Sequence, residues 1–284
     1  MSGSFQAVVA SAPGKVILFG EHAVVYGVTA IAAALSDLRI FVDISSIEEQ
    51  IIEVRMHDII ENPEGDSFSR QIALSRVRSL FEESSTADVL SPIDPDDTIL
   101  VKLRDEFGDA PLAAVQGLMA IMYIIAKVLP ECLWPASTSG AFRGGMLLSV
   151  NSRGLPIGAG LGSSAAFSVA LAAAVLRLRQ QLYPFLSNEG EGDKAVNITL
   201  PPCAKLPKTD SISLIDANPQ KLFVPSGTIP LSLLPVINGW AYAAEVVIHG
   251  SPSGLDNTTR YIARNNAFGD ENLLINFAKC CNSR

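Results

Sequence analysis

The stretch LPIGAGLGSSAAFSVALAAAVL, residues 155–176, decides how the rest of the chain is read. It follows Gly145–Val150 (GMLLSV), an apolar run with the length of a buried strand, and leads into an alanine- and leucine-rich helical stretch, Phe167–Leu178. The order is strand, glycine-rich loop, helix. Gly158, Gly160 and Gly162 let the backbone approach a ligand with no Cβ atoms in the way. The N–H groups at the helix start face that ligand, and the helix macrodipole favours an anion. Ser163 and Ser164 add hydroxyls, one of which could coordinate a metal ion beside a phosphate. No lysine follows the glycines, so this is not a GxxxxGK[ST] loop, and the GxGxG spacing is not the dinucleotide GxGxxG. Taken alone, the stretch describes an ordinary strand-to-helix turn as well as a phosphate site.

Two further segments carry clustered polar groups. Ser11–Tyr26 (SAPGKVILFGEHAVVY) sets Lys15, Glu21 and His22 in a turn-rich stretch between apolar runs. Alone, these side chains suit a solvated surface or the binding of a hydroxylated substrate. Glu245–Asn257 (EVVIHGSPSGLDN) puts Glu245 and His249 four apart on one helix face, followed by a Gly-Ser-Pro turn bearing Ser253 and Asp256. Asp256 could act as a base or charge partner and Glu245 as a metal ligand, and a capped helix end would use the same residues.

Around these segments the chain reads as a mixture of strands and helices. Gln6–Ala10 and Val16–Phe19 read as two short strands separated by the breakers Ser11, Pro13 and Gly14, and Leu38–Ile44 and Ile51–Met56 as half-buried strands. Residues 62–106 read as surface helix and loop. Leu112–Leu129 has about the minimum length of a membrane span, but Gln116, Gly117 and Lys127 interrupt it, which favours a helix buried in a soluble core. Pro201–Pro235 holds seven prolines and reads as irregular, and Val236–Val247 is helical again.

Composition narrows the classes. Of 284 residues, 48% are hydrophobic and 18% charged, which excludes a disordered chain. A net charge of −8 argues against nucleic acid as the main partner. It does not exclude phosphate ligands held by backbone N–H groups and a lysine or two. Met1–Ala10 has no positive charge, unlike a secretory signal. Cys132, Cys203, Cys280 and Cys281 have no CxxC spacing and only three histidines accompany them. Free thiols in a reducing cytoplasm are therefore expected rather than a zinc site.

The three segments in this order resemble the motifs of the GHMP kinase superfamily, and within it the mevalonate kinase family. APGKVILFGEHAVVYG is similar to the first family motif and LPIGAGLGSSAAFSVALAAA to the second; INGWAYAAEVVIHGSPSGLDN, residues 237–257, resembles the segment bearing the acidic catalytic residues. The resemblance spans about residues 10–257 and is weakest at 60–105 and 185–235. It implies an α+β fold, the GHMP N-terminal domain (ribosomal protein S5 domain 2-like), with a mixed sheet and helices over residues 1–257 and a surface insertion at about 185–235. It implies phosphorylation of (R)-mevalonate by ATP with Mg2+, in isoprenoid and sterol synthesis. Asp256 aligns with the catalytic aspartate and Lys15 with the lysine paired with it. Gly158, Ala159, Gly160, Leu161, Gly162, Ser163 and Ser164 match the ATP-phosphate loop, Ser164 and Glu245 the magnesium ligands. Glu21 and His22, with Lys15, match the acceptor pocket. A cytoplasmic homodimer, inhibited by prenyl diphosphates, is the family pattern.

The sequence departs from the family after Asn257. Nothing there resembles the third, glycine-rich motif, so residues 258–284 are expected to be a divergent tail without the C-terminal domain. A catalytically impaired, nucleotide-binding homologue is the alternative this raises. A second alternative is a GHMP kinase for another small acceptor such as phosphomevalonate, which would want more basic residues than Lys15 around the acceptor.

Overall fold

Pro13 and Gly14 do not break the first strand. In the computed structural model, which describes residues 5–20, 30–62, 64–81, 89–134, 142, 144–183, 233–250, 252 and 274–278, β1 runs unbroken over Val8–Phe19. It pairs antiparallel with the long β2 (Ala30–Ile47), and the register slips between Pro13↔Arg39 and Gly14↔Leu35. Proline cannot donate to a ladder, and the slip absorbs the missing hydrogen bond where a breaker would otherwise end the strand. The Arg39 side chain stitches the irregularity, its Nε donating to Ser11 Oγ at 3.0 Å and its Nη2 to the Ser11 carbonyl at 3.1 Å. The two short strands expected from the sequence are therefore one.

The remaining strands are β3 (Ile51–Ile60), β4 (Ser67–Ala73), β5 (Gly145–Arg153) and β6 (Leu274–Ala278). The sheet order is β1-β2-β5-β3-β4, with β6 alongside the start of β2. Every pair is antiparallel except β3 with β5. A parallel neighbour needs a crossover, and the chain supplies it between β4 and β5 with α1 (Leu74–Leu80), α2 (Asp97–Phe107), α3 (Leu112–Val128) and α4 (Pro130–Leu133). Then α5 (Ser163–Leu182) follows β5, and α6 (Leu234–His249) packs against α3 and α5. The expected mixed sheet covered by helices is the observed architecture. Within the residues expected to be a divergent tail, Leu274–Ala278 forms β6 against Ala30–Ala34. The expected insertion, about residues 185–235, lies almost wholly outside the described residues.

Residues 62–106 are less superficial than their charge suggests. Phe68 and Ile72 on β4, Val77 on α1, and Leu103 and Phe107 on α2 all belong to the core. Each element buries one side only, and its charged residues face out. Asp96 caps α2, its Oδ1 accepting from the Ile99 N–H at 2.8 Å.

The helix α3 is buried on nearly every side, as its apolar sequence requires of a helix inside a folded core. None of the helices, among the described residues, is long and apolar enough to cross a membrane. Its Tyr123 hydroxyl donates to the Ile93 carbonyl at 2.7 Å. Buried alanines along α5, among them Ala166, Ala170, Ala173 and Ala174, let neighbouring backbones come close. Cys132 is a free thiol whose burial pushes its pKa up to about 12, so it is a packing residue rather than a nucleophile. Cys203, Cys280 and Cys281 lie outside the described residues.

Trp240 is fully buried on α6, with its indole N–H donating to the Val89 carbonyl at 2.8 Å. Trp240→Ala is expected to cost about 3–5 kcal/mol, and Trp240→Phe about 1–3 kcal/mol through the orphaned carbonyl. Urea unfolding with an unchanged denaturant slope checks both values.

Candidate active site

Two charged side chains, Lys15 and Glu245, are buried among the described residues, and both are residues the sequence singles out. Charges are seldom buried without a task, because desolvation disfavours them. Lys15 lies on β1 just past the register slip, where its backbone N–H donates to the Leu161 carbonyl at 3.0 Å. That bond ties the first motif to the glycine-rich loop. Gly14 makes the close approach possible, since a Cβ there would lie 2.6 Å from Leu155 Cδ1 and 3.4 Å from the Leu161 carbonyl oxygen.

The loop itself has the conformation its glycines permit. Gly158 and Gly160 both have φ +76°, and Gly162 caps α5 at φ +68°, ψ +43°. These are left-handed conformations that other residues adopt only with strain. A Cβ on Gly158 or Gly160 would meet nothing within 4 Å, so these glycines are required by backbone angle and leave open space above the loop. The Gly158 N–H points to Ser163 Oγ at 3.4 Å, folding the loop back over the first turn of α5. No side chain caps α5, so its first N–H groups are left for an anion.

Glu245 sits one turn before Ile248, and Ile248 lines the same cleft as Ser163 and Ser164. The start of α5 and the last turn of α6 therefore line one cleft. Ser164 and Glu245 offer a hydroxyl and a carboxylate, both hard oxygen donors. A hard divalent cation such as Mg2+ needs only one or two protein ligands of this kind, completing its shell with water and phosphate oxygens. His249, on the same helix face by spacing, is exposed where Glu245 is buried. Glu21, His22, Ser253 and Asp256 lie outside the described residues.

One feature of the site escapes the motif reading. Beside the loop lies a cleft of about 110 Å3, walled by apolar side chains that include Met56, Val150, Ile157, Phe167 and Ile248. Asp58 and Gln116 are its polar side chains apart from the two serines. Asp58 Oδ2 accepts from the Ser152 N–H at 2.6 Å. The sequence signal for Gln116 is a lone amide inside an otherwise apolar helix.

The described residues form an α+β domain with a mixed sheet, whose glycine loop at a helix start is tied to the strand bearing the buried Lys15. Residues 122–188 match the family model described as the GHMP kinases N terminal domain. Over most of its length it is similar to mevalonate kinases. It is 34% identical to that of Mus musculus, over 89% of this chain and 51% of the relative. The Homo sapiens enzyme is 31% identical, over 87% of this chain and 50% of the relative. The chain thus spans about half the length of these curated relatives. A solved Methanococcus jannaschii mevalonate kinase is 20% identical, with a TM-score of 0.46 over 90% of this chain and 51% of that one.

Gly160→Ala is expected to destabilise the chain by about 1–2 kcal/mol, the cost of a left-handed alanine without a steric clash. Urea titration measures it, and a loss well above that range would mean the loop is packed rather than open.

Proposed function

We propose that the chain takes Mg·ATP on the 158–164 loop and directs its γ-phosphoryl group to the alcohol of (R)-mevalonate, forming 5-phosphomevalonate and ADP. The single observation that carries this reading is the hydrogen bond that ties the buried Lys15, through its backbone, to a positive-φ glycine loop leading into a helix start without a side-chain cap. The similarity to mevalonate kinases supports the choice of acceptor. A cytoplasmic homodimer belongs to the same reading by resemblance alone.

Phosphoryl transfer passes through a loose transition state, so positioning and electrostatics outweigh covalent chemistry. The N–H groups of the loop and of the first turn of α5 hold phosphate oxygens in fixed directions. Lys15, tethered through its own backbone to the loop, brings a cation to the site of transfer. Ser164 and Glu245 are the residues that would hold Mg2+, and the ion, when bound, would supply charge neutralisation for the phosphate oxygens. Asp256, which aligns with the catalytic aspartate of the motif the chain resembles, would orient the acceptor hydroxyl and receive its proton. The apolar cleft beside the loop suits the flat face of the base.

The test is ADP release from purified protein with Mg·ATP, with and without mevalonate. Mevalonate-dependent release is expected, lowered about 10²-fold or more by Ser164→Ala or Glu245→Gln with nucleotide binding weakened less. Release indifferent to both substitutions would contradict the assignment. A second reading is a nucleotide-binding chain with little turnover, which the same assay separates from the first. Binding of Mg·ATP without mevalonate-dependent release would decide for that one.

A further inference from the structure

We infer that Gln116 is a specificity-determining residue, whose side-chain carbonyl accepts a hydrogen bond from the exocyclic amine of a 6-aminopurine and so rejects 6-oxopurine nucleotides. This rests on the nucleotide reading of the loop and cleft proposed above. The cleft adjoins the loop through Ile157, Ser163 and Ser164, so a triphosphate seated on the loop carries its base there. Flat apolar walls bind any base and choose none. Choice must come from the polar side chains, Asp58 and Gln116. Asp58 is exposed and already accepts the Ser152 N–H, so it lies where water screens it.

Gln116 is half-buried, and its amide is pinned. Its Nε2 donates to the Ile248 carbonyl at 3.2 Å. A carbonyl only accepts, so the nitrogen must be the end facing Ile248, and Oε1 faces the other way. Oε1 is the acceptor this side chain retains, and the side chain lines the cleft in a wall shared by α3 and the last turn of α6. A 6-amino group satisfies it. A 6-oxo group sets two acceptor oxygens against each other and leaves Oε1 desolvated without a donor, which is worth roughly 5- to 100-fold in affinity.

The experiment is equilibrium binding of ATP, ITP, GTP and inorganic tripolyphosphate, each with Mg2+, to the full chain and to Gln116→Met and Gln116→Leu. Wild type is expected to bind ATP about tenfold or more tighter than ITP or GTP. In both variants that ratio should fall to within about twofold, with tripolyphosphate affinity unchanged, a split that a merely structural role would not produce. ITP or GTP bound as tightly as ATP by wild type would overturn the inference, even if neither variant folds. A ratio kept by the folded Met variant would overturn it too. Tripolyphosphate binding with no nucleotide preference would sink Gln116 alone, whereas folded protein that binds none of the four would remove the nucleotide reading beneath it.

Discussion

The hydrogen bond from the Lys15 N–H to the Leu161 carbonyl, 3.0 Å long, is the constraint on which the site depends. It joins a strand near the start of the chain to a loop far along it, and it forms only if several other things hold. Gly14 must lack a Cβ, because Leu155 lies where that atom would be. The ladder between β1 and β2 slips between Pro13 and Gly14, immediately before Lys15. The glycines must turn left-handed so that the loop folds back over α5. The left-handed glycines are the requirement hardest to meet with another residue type.

The helices supply the other half of the arrangement. Buried alanines on α5 let that helix lie close to the sheet and to α6, which brings the end of α6 beside the start of α5. Glu245 is carried to the site by this packing rather than by a loop. Sites built on rigid elements hold geometry better than sites on flexible connections, and here the loop is short and fastened at Leu161.

Much of this was legible in the sequence. The three motifs stood out because glycine spacing, hydroxyls and paired charges have few structural alternatives when they occur in one order. The buried helix α3 and the strand–loop–helix at residues 145–182 followed from hydrophobic runs with clear punctuation. Other features were hidden for physical reasons. Pro13 looked like a strand breaker because a bulge depends on the partner strand, which local sequence does not encode. In β4, Phe68 and Ile72 are buried while Ser67, Ser69 and Gln71 between and beside them are exposed, so composition alone read a core strand as surface. The cleft was hidden most of all, since Met56, Gln116, Val150 and Ile248 come from four elements that only tertiary packing assembles.

The central claim is that the 158–164 loop and the first turn of α5 form the phosphate site. Amide hydrogen exchange with and without saturating Mg·ATP tests it most directly. The account predicts added protection concentrated at the N–H groups of residues 158–165 and at Lys15, whose bond to Leu161 the bound phosphate would lock. Protection confined to other elements, with these amides exchanging as before, would contradict it.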